Sequence, residues 1–314
     1  MRNRSVLLGA LIALVVAFAV AACGGGEEAA PPAEPPPATE VAPPAEPPAE
    51  PPAEPPAEPP AEPPAPAIPE FSTIKAGVLT IGSDIPFPPF EFRKEGELTG
   101  FDVELAEEMA SRLGVTTKWV DTDFDTIFTQ LAAGRFDMVV SATTITAERE
   151  EQVNFTDGYF LSQQALTINA EETPDIASTA DLGEGDTVAV QKGTTGEIWA
   201  RENLEPNGVK IRSFPDAPAT YIALEAGNVT GVIFDEPSAI AEAEARPALE
   251  VVELIDTDEV YGIAVDPANE PLLEALNIVL AEMLADGTYA EIFAHYPGLP
   301  PEGLPAGGSI AAAG

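Results

Sequence analysis

An α/β fold built as two sheet-centred lobes is predicted by three observations. From residue 78 onward, short apolar runs alternate with segments whose apolar residues recur at helical spacing. That alternation is the rhythm of a parallel sheet flanked by helices. The rhythm breaks after residue 169 and begins again near residue 187, so there are two such units. In each unit the strands run into polar or charged residues, and ligands of open α/β sheets bind beyond the carboxyl ends of the strands. Two units of this kind imply a cleft between them.

What precedes residue 71 is of another character. Residues 1–22 read as a secretory signal: Arg2 and Arg4, then a 15-residue apolar run over 6–20, then small residues. The run is short for a spanning helix, which needs about 20 apolar residues. Val20-Ala-Ala-Cys23-Gly looks like a lipobox, at which bacteria acylate the cysteine and cleave just before it. Cys23 is the lipidation candidate and the chain's single cysteine, so an internal disulfide is excluded. Residues 23–70 form an expected disordered stalk. Five consecutive Pro-Pro-Ala-Glu units fill 43–62, and proline at this density favours polyproline II and removes backbone donors. At ~3.1 Å per residue the stalk would reach on the order of 140 Å. The expected site of action is extracytoplasmic, with the chain lipid-anchored to the cell membrane.

Charge narrows the classes further. Outside the leader and stalk, 12 basic residues face 43 acidic ones, a balance of −31. Such a surface repels nucleic acid, which demands basic patches. His295 is the only histidine; alone it reads as a surface residue, and no metal or other cofactor is expected.

In order, residues 78–82 read as a strand that runs into Asp84-Ile-Pro-Phe87-Pro-Pro-Phe90-Glu-Phe92. Three prolines hold Asp84 and Phe87 on a stiff loop. Val103, Ala106, Met109 and Leu113 mark a helix that Asp102 would cap and Gly114 would end. A strand over 115–120 follows, then a helix with Ile127 and Leu131 inward, stopped at Gly134. Residues 136–140 read as a buried strand ending in small hydroxyl residues. Thr146 can cap a short helix carrying Arg149. An arginine fork beside free backbone amides grips a carboxylate; the alternative is a surface arginine paired with Glu148 or Glu150.

The second unit reads as a strand over 187–191, a helix opening at Lys192-Gly-Thr194-Thr195-Gly, a strand over 209–214, a helix over 219–226 and a strand over 231–235. An alanine- and glutamate-rich helix follows and ends near Pro247. Residues 249–255 and 261–265 read as a return path. The final helix is expected over 272–284, with Leu276, Val279, Leu280 and Met283 on one face. Residues 301–314 read as a flexible tail.

Over nearly all of 71–298 the chain resembles the extracytoplasmic amino-acid-binding proteins of ABC importers, solute-binding protein family 3. Seven motifs match in order. They are the Pro-Pro-Phe-Glu-Phe loop after Asp84, Gly100-Phe-Asp-Val-Glu-Leu105, and Thr146-Ala-Glu-Arg149 with Asn-Phe-Thr-Asp-Gly-Tyr159. Val190-Gln-Lys-Gly-Thr-Thr-Gly196, Phe234-Asp-Glu-Pro237, Tyr261-Gly-Ile-Ala264 and Asp286-Gly-Thr-Tyr289 follow. The resemblance implies the two-lobed type II periplasmic-binding-protein-like fold, with two parallel-type sheets joined by two crossover strands. Lobe 1 would take 71–161 plus 262–300, and lobe 2 would take 162–261.

The resemblance also implies roles. Arg149 matches the arginine that forks the ligand's α-carboxylate, with amides near Thr144 and Thr195 completing the cradle. Asp235 matches the carboxylate that takes the α-ammonium, although it could merely cap the next helix. Phe87 and Phe124 match rings that close over the side chain, although both could be core. Asp84 matches a side-chain contact of members that take glutamine or basic amino acids, although it could pair with a neighbouring amide. Gln191 stands where some members have lysine, and Ala142 where others have glycine or serine; with Thr194 they complete the candidate set. The implied protein is a monomeric non-enzyme that hands a polar neutral or cationic amino acid to a membrane permease. A cyclohexadienyl or arogenate dehydratase on the same fold, and a ligand-sensing partner of a membrane receptor, are the alternatives.

Overall fold

The computed structural model of the chain describes residues 67–300 and Gly303. The leader, Cys23, nearly all of the stalk and the rest of the tail lie outside the described residues. Strand β1 (Val78–Ser83) is buried from its second residue on. A hairpin follows, β2 (Phe92–Lys94) against β3 (Glu97–Thr99). Helix α1 (Phe101–Arg112) starts from Gly100, whose φ is +136° and where the Phe90 carbonyl oxygen would stand 2.0 Å from a Cβ. Only glycine permits that approach. Then come β4 (Thr116–Asp121), α2 (Ile127–Ala132), β5 (Met138–Val139), α3 (Ala147–Glu150) and β6 (Asn154–Phe155).

From there β7 (Phe160–Asn169) leads into a second sheet with β8 (Thr187–Gln191), α4 (Thr195–Asn203), β9 (Lys210–Phe214), α5 (Ala217–Glu225), β10 (Gly231–Asp235) and α6 (Glu236–Ala245). The long β11 (Leu249–Tyr261) runs back beside β7 and feeds β12 (Ala264–Val265), α7 (Glu270–Asp286) and α8 (Thr288–Ala294). The first sheet has the order β4-β1-β5-β12-β6, and the second β11-β7-β10-β8-β9.

Each sheet has its own cover. Leu105 and Met109 of α1 pack with Leu276 and Leu280 of α7 and Phe293 of α8 on one face of the first sheet. Ile127 and Leu131 of α2 meet Val139 and Ala264 on the other. In the second lobe Ile168, Val188, Val190 and Ile233 of the strands enclose Ala200 of α4. Each such large side chain contributes about 1.5–3 kcal/mol relative to exposure.

Four expectations need correction. The sheets are mixed rather than parallel. β1 is parallel to β4 and β5, but β12 is antiparallel to β5 and β6. Likewise β8 is parallel to β9 and β10, but β7 is antiparallel to β10 and β11. In each sheet one strand, β12 in the first and β7 in the second, runs against the other four. Residues 249–261 form one continuous strand rather than the two expected. Asp102 does not cap α1: the helix begins one residue before it, and Asp102 is fully buried. Its carboxylate accepts the Ala142 N–H at 2.7 Å and faces the Tyr159 hydroxyl at 2.9 Å. Finally, a further helix, α8, follows α7 directly across Gly287.

Candidate ligand site

One cavity opens where the carboxyl ends of both sheets meet. All ten residues expected at a ligand site line it: Asp84, Phe87, Phe124, Ala142, Thr144 and Arg149 from the first lobe, and Gln191, Thr194, Thr195 and Asp235 from the second. Ser141 and Phe234 line it as well and were not anticipated. Both adjoin named residues, so the motifs did point at their neighbourhood.

Arg149 is placed by its local sequence. The Thr146 hydroxyl accepts the Arg149 N–H at 3.2 Å and fixes the first turn of α3. The side chain then turns inward, so that only 7% of the residue is exposed. Its guanidinium donates to the Thr144 carbonyl at 2.6 Å and to the Gly193 carbonyl at 3.3 Å. It lies 5.3 Å from the centre of the Phe124 ring and 5.1 Å from that of Phe128. Ring faces attract a desolvated cation. Burial pushes the guanidinium's pKa downward, and the negative charges of Glu259 and Asp235 oppose that push. A surface ion pair with Glu148 or Glu150 is therefore not the role of Arg149.

Asp235, at the end of β10, faces it from the other lobe. Tyr261 donates its hydroxyl to one carboxylate oxygen at 2.6 Å, and the Gln164 side-chain amide donates to the other at 2.6 Å. Its side chain makes no capping bond to α6. Burial, and then the nearby charge of Glu259, push the Asp235 carboxyl up to about 7. Hydrogen bonds from Tyr261 and Gln164 and the charge of Arg149 hold it from going higher. A cationic ligand group would find there a carboxylate whose charge the protein only partly neutralises.

Asp84 forms a separate charged group. Its backbone N–H donates to the Ser141 hydroxyl at 3.0 Å, and its carboxylate accepts the Gln191 side-chain amide across the cleft at 2.5 Å. The amide pairing considered from sequence is thus present. Burial pushes the Asp84 carboxyl up to about 7. The Gln191 bond opposes this, while Asp121, Asp123 and Asp216 add repulsion. Three further carboxylates thus lie near enough to Asp84 for their charge to act on it.

Aromatic and backbone groups complete the wall. The Phe87 and Phe234 rings lie 5.5 Å apart, and both Phe87 and Phe124 are largely buried. Ala142 sits at φ 43°, a left-handed conformation that costs a non-glycine residue of order 1 kcal/mol. The bond from its N–H to the buried Asp102 carboxylate holds it there. Thr194 caps α4 by accepting the Glu197 N–H and donates to the Gln191 carbonyl. Gly193 has φ 82° and presents its carbonyl to Arg149. Among the described residues no group of His, Cys, Asp or Glu is arranged to hold a metal ion, and no helix is long and apolar enough to cross a membrane.

Comparison with known proteins agrees with this architecture. Residues 79–298 match the profile of the bacterial extracellular solute-binding proteins, family 3. The L-cystine-binding protein TcyJ of Escherichia coli (strain K12) is 34% identical over 215 residues, covering 68% of this chain and 79% of that protein. The histidine-binding periplasmic protein of the same strain is 30% identical over 227 residues, covering 69% and 86%. An ancestral arginine-binding protein bound to arginine superposes with a TM-score of 0.67 at 38% identity, covering 70% of this chain and 98% of that one. The ancestral amino acid-binding protein AncCDT-1, a precursor of cyclohexadienyl dehydratase, gives 0.65 at 36%, covering 70% and 95%. With its two lobes and mixed sheets, this chain has the periplasmic-binding-protein-like fold and belongs to the bacterial extracellular solute-binding proteins of family 3.

Proposed function

We propose that this chain is the capturing component of an amino-acid ABC importer, a binding protein rather than an enzyme. It takes a free amino acid with a cationic or polar neutral side chain and delivers it to a membrane permease. Arg149 forks the α-carboxylate beside Thr144 and Thr195, and Asp235 accepts the α-ammonium. Phe87 and Phe124 close over the side chain, and Asp84 with Gln191 receives its tip. The observation that carries this reading is that opposite charges from the two lobes, Arg149 and Asp235, line one cavity that also holds Asp84. Its acidic surroundings favour a cationic tip.

The names of the relatives, which bind cystine, histidine and arginine, support an amino acid as the ligand class. Calorimetry of the purified full chain across the twenty amino acids tests the reading. Arginine or another polar amino acid should bind and raise the melting temperature by mass action. Absence of heat with all twenty would end it. Membrane attachment through Cys23 rests on the Val20-Ala-Ala-Cys23 run; Cys23→Ser should move the protein from the membrane fraction to the soluble one, and unchanged fractionation would refute attachment. Delivery would use closure of the lobes about β7 and β11.

A dehydratase reading has one observation in its favour. A carboxyl with a pKa of about 7, that of Asp84, is part-protonated at neutral pH and suits a general acid. Turnover of arogenate or prephenate by the purified protein would establish it, and absence of product would exclude it.

A further inference from the structure

Glu259 belongs to none of the sequence motifs, yet the fold places it between the two lobes. It stands on β11 just beyond an irregularity. Ile255 pairs with Gln164 and Glu259 with Ser162, four steps along β11 against two along β7. Asp258, within that irregularity, has φ 49°. Such bulges re-aim side chains and recur beside functional sites. Here the bulge leaves Asp258 exposed and turns Glu259 inward, to 5% exposure.

The inward carboxylate meets four donors. One oxygen accepts the Thr144 hydroxyl at 2.6 Å and the Thr195 hydroxyl at 3.0 Å. The other accepts the Gln164 amide at 2.8 Å and the Thr257 hydroxyl at 3.1 Å. An ionised carboxylate has acceptor sites for all four, whereas a side-chain amide has one acceptor oxygen. Thr144 and Thr195 line the cavity from opposite lobes, and Gln164 also holds Asp235. One buried side chain thus touches the partners of both charged ligand contacts.

Charge adds a second consequence. The groups facing Asp235 are Glu259 and Tyr261 from β11, Gln164 from β7 and Arg149 from α3. One positive charge therefore faces two carboxylates. A buried set with a surplus negative charge favours uptake of a proton or of another cation.

We propose that Glu259 is a positioning residue of the amino-acid site, pinning the Thr144 and Thr195 walls of the two lobes together and setting the pH range over which Asp235 accepts an ammonium group. The proposal rests on the reading of Asp235 as the ammonium contact. In the empty site a proton neutralises the surplus charge below a pH of about 7. An incoming ammonium displaces that proton to solvent. Affinity therefore falls as the pH falls, by about tenfold per unit for one competing proton.

Calorimetry with L-arginine on the full chain, from a pH of about 5.5 to about 8.5, tests this. Glu259→Gln keeps the shape and removes the charge. It should weaken binding at the alkaline end and move the acid fall-off to lower pH, so the affinity ratio between the two ends shrinks. Asp84 also titrates near 7, but its neighbours Asp121, Asp123, Asp216 and Gln191 are untouched by the change, so the difference between the two profiles isolates Asp235. Glu259→Asp keeps the charge but withdraws it by one methylene; it should weaken binding about equally at every pH. A Glu259→Gln profile with the wild-type fall-off would overturn the proposal. Should that variant show no melting transition, Glu259→Asp decides alone: a uniformly weakened profile upholds the proposal, and any other overturns it. Failure of the underlying reading looks different, for then the wild-type chain would not bind, or Arg149→Ala would bind undiminished.

Discussion

The two charged groups of the cavity are built to different standards of rigidity. On the Arg149 side nearly every polar atom has a fixed partner: Arg149 is held by two carbonyls and two rings, and Asp235 by a tyrosine and a glutamine. On the Asp84 side a single carboxylate leans on one amide from the opposite lobe. The difference teaches which part of a ligand each side suits. Every free amino acid presents the same carboxylate and ammonium, so a pre-organised, over-determined frame serves for them. Side-chain tips vary, and a carboxylate that exchanges one amide for another donor can be retuned without disturbing that frame.

The sharpest way to break this comparison is Arg149→Ala. Removing one partner of a buried charged contact costs 2–5 kcal/mol, so L-arginine affinity by calorimetry should fall about 30-fold or more. A loss below about threefold would show that the frame is elsewhere. Asp84→Asn is the matching change on the other side. Hydrogen bonds to charged groups contribute about 1.5–3 kcal/mol, so arginine should lose about 10- to 100-fold while L-glutamine changes little. Equal losses for both ligands would mean that the two sides are not independent.

How far the site was legible follows the same division. Asp84 and Asp235 stand at or beside a strand end and Arg149 in the Thr146-capped turn of α3, each in or next to a short motif, where local sequence carries the information. Glu259, Gln164 and Tyr261 meet only because of the β7–β11 register and its bulge. No local periodicity specifies such a pairing. Strand direction was hidden for the same reason, since an apolar run looks alike either way round, and so both sheets read as parallel. Asp102 misled because a carboxylate at a helix start normally caps it. Here Gly100 occupies the cap, and the core supplies Ala142 and Tyr159 as partners. Helix α8 escaped because Gly287, at φ 89°, ends α7 and opens the next helix at once.

A third measurement compares the empty and occupied frame by pH. Burial first of all raises the carboxyls of Asp84, Asp102 and Asp235 to about 7, and that of Glu91 upward as well. In the unfolded chain these groups return to about 4. Between those values the folded state binds more protons at these groups, so their contribution to stability is fullest below a pH of about 4 and is lost as the pH rises through about 7. The ligand-free melting temperature should drop by roughly 2–8 °C between a pH of about 5 and about 8. With L-arginine present the increment over the empty protein should instead grow with pH, because the ligand prefers the ionised carboxylates. An empty protein that melted higher at alkaline pH would contradict the raised carboxyls.

The smallest expected effect separates holding the ligand from holding Arg149. Phe128 does not line the cavity, but its ring lies 5.1 Å from the guanidinium and meets the Phe124 ring edge-on at 6.1 Å. A desolvated cation–ring contact is worth up to about 2 kcal/mol. Leucine in its place keeps apolar contact while removing the ring face. Phe128→Leu should therefore weaken L-arginine and L-glutamine by the same few-fold, through a less firmly held Arg149. Phe124→Leu alters both the guanidinium's stacking and the cavity wall, so its losses should differ between the two ligands. Unequal losses in Phe128→Leu would mean that this ring shapes the side-chain pocket, and the rigid frame would have to be redrawn to exclude it.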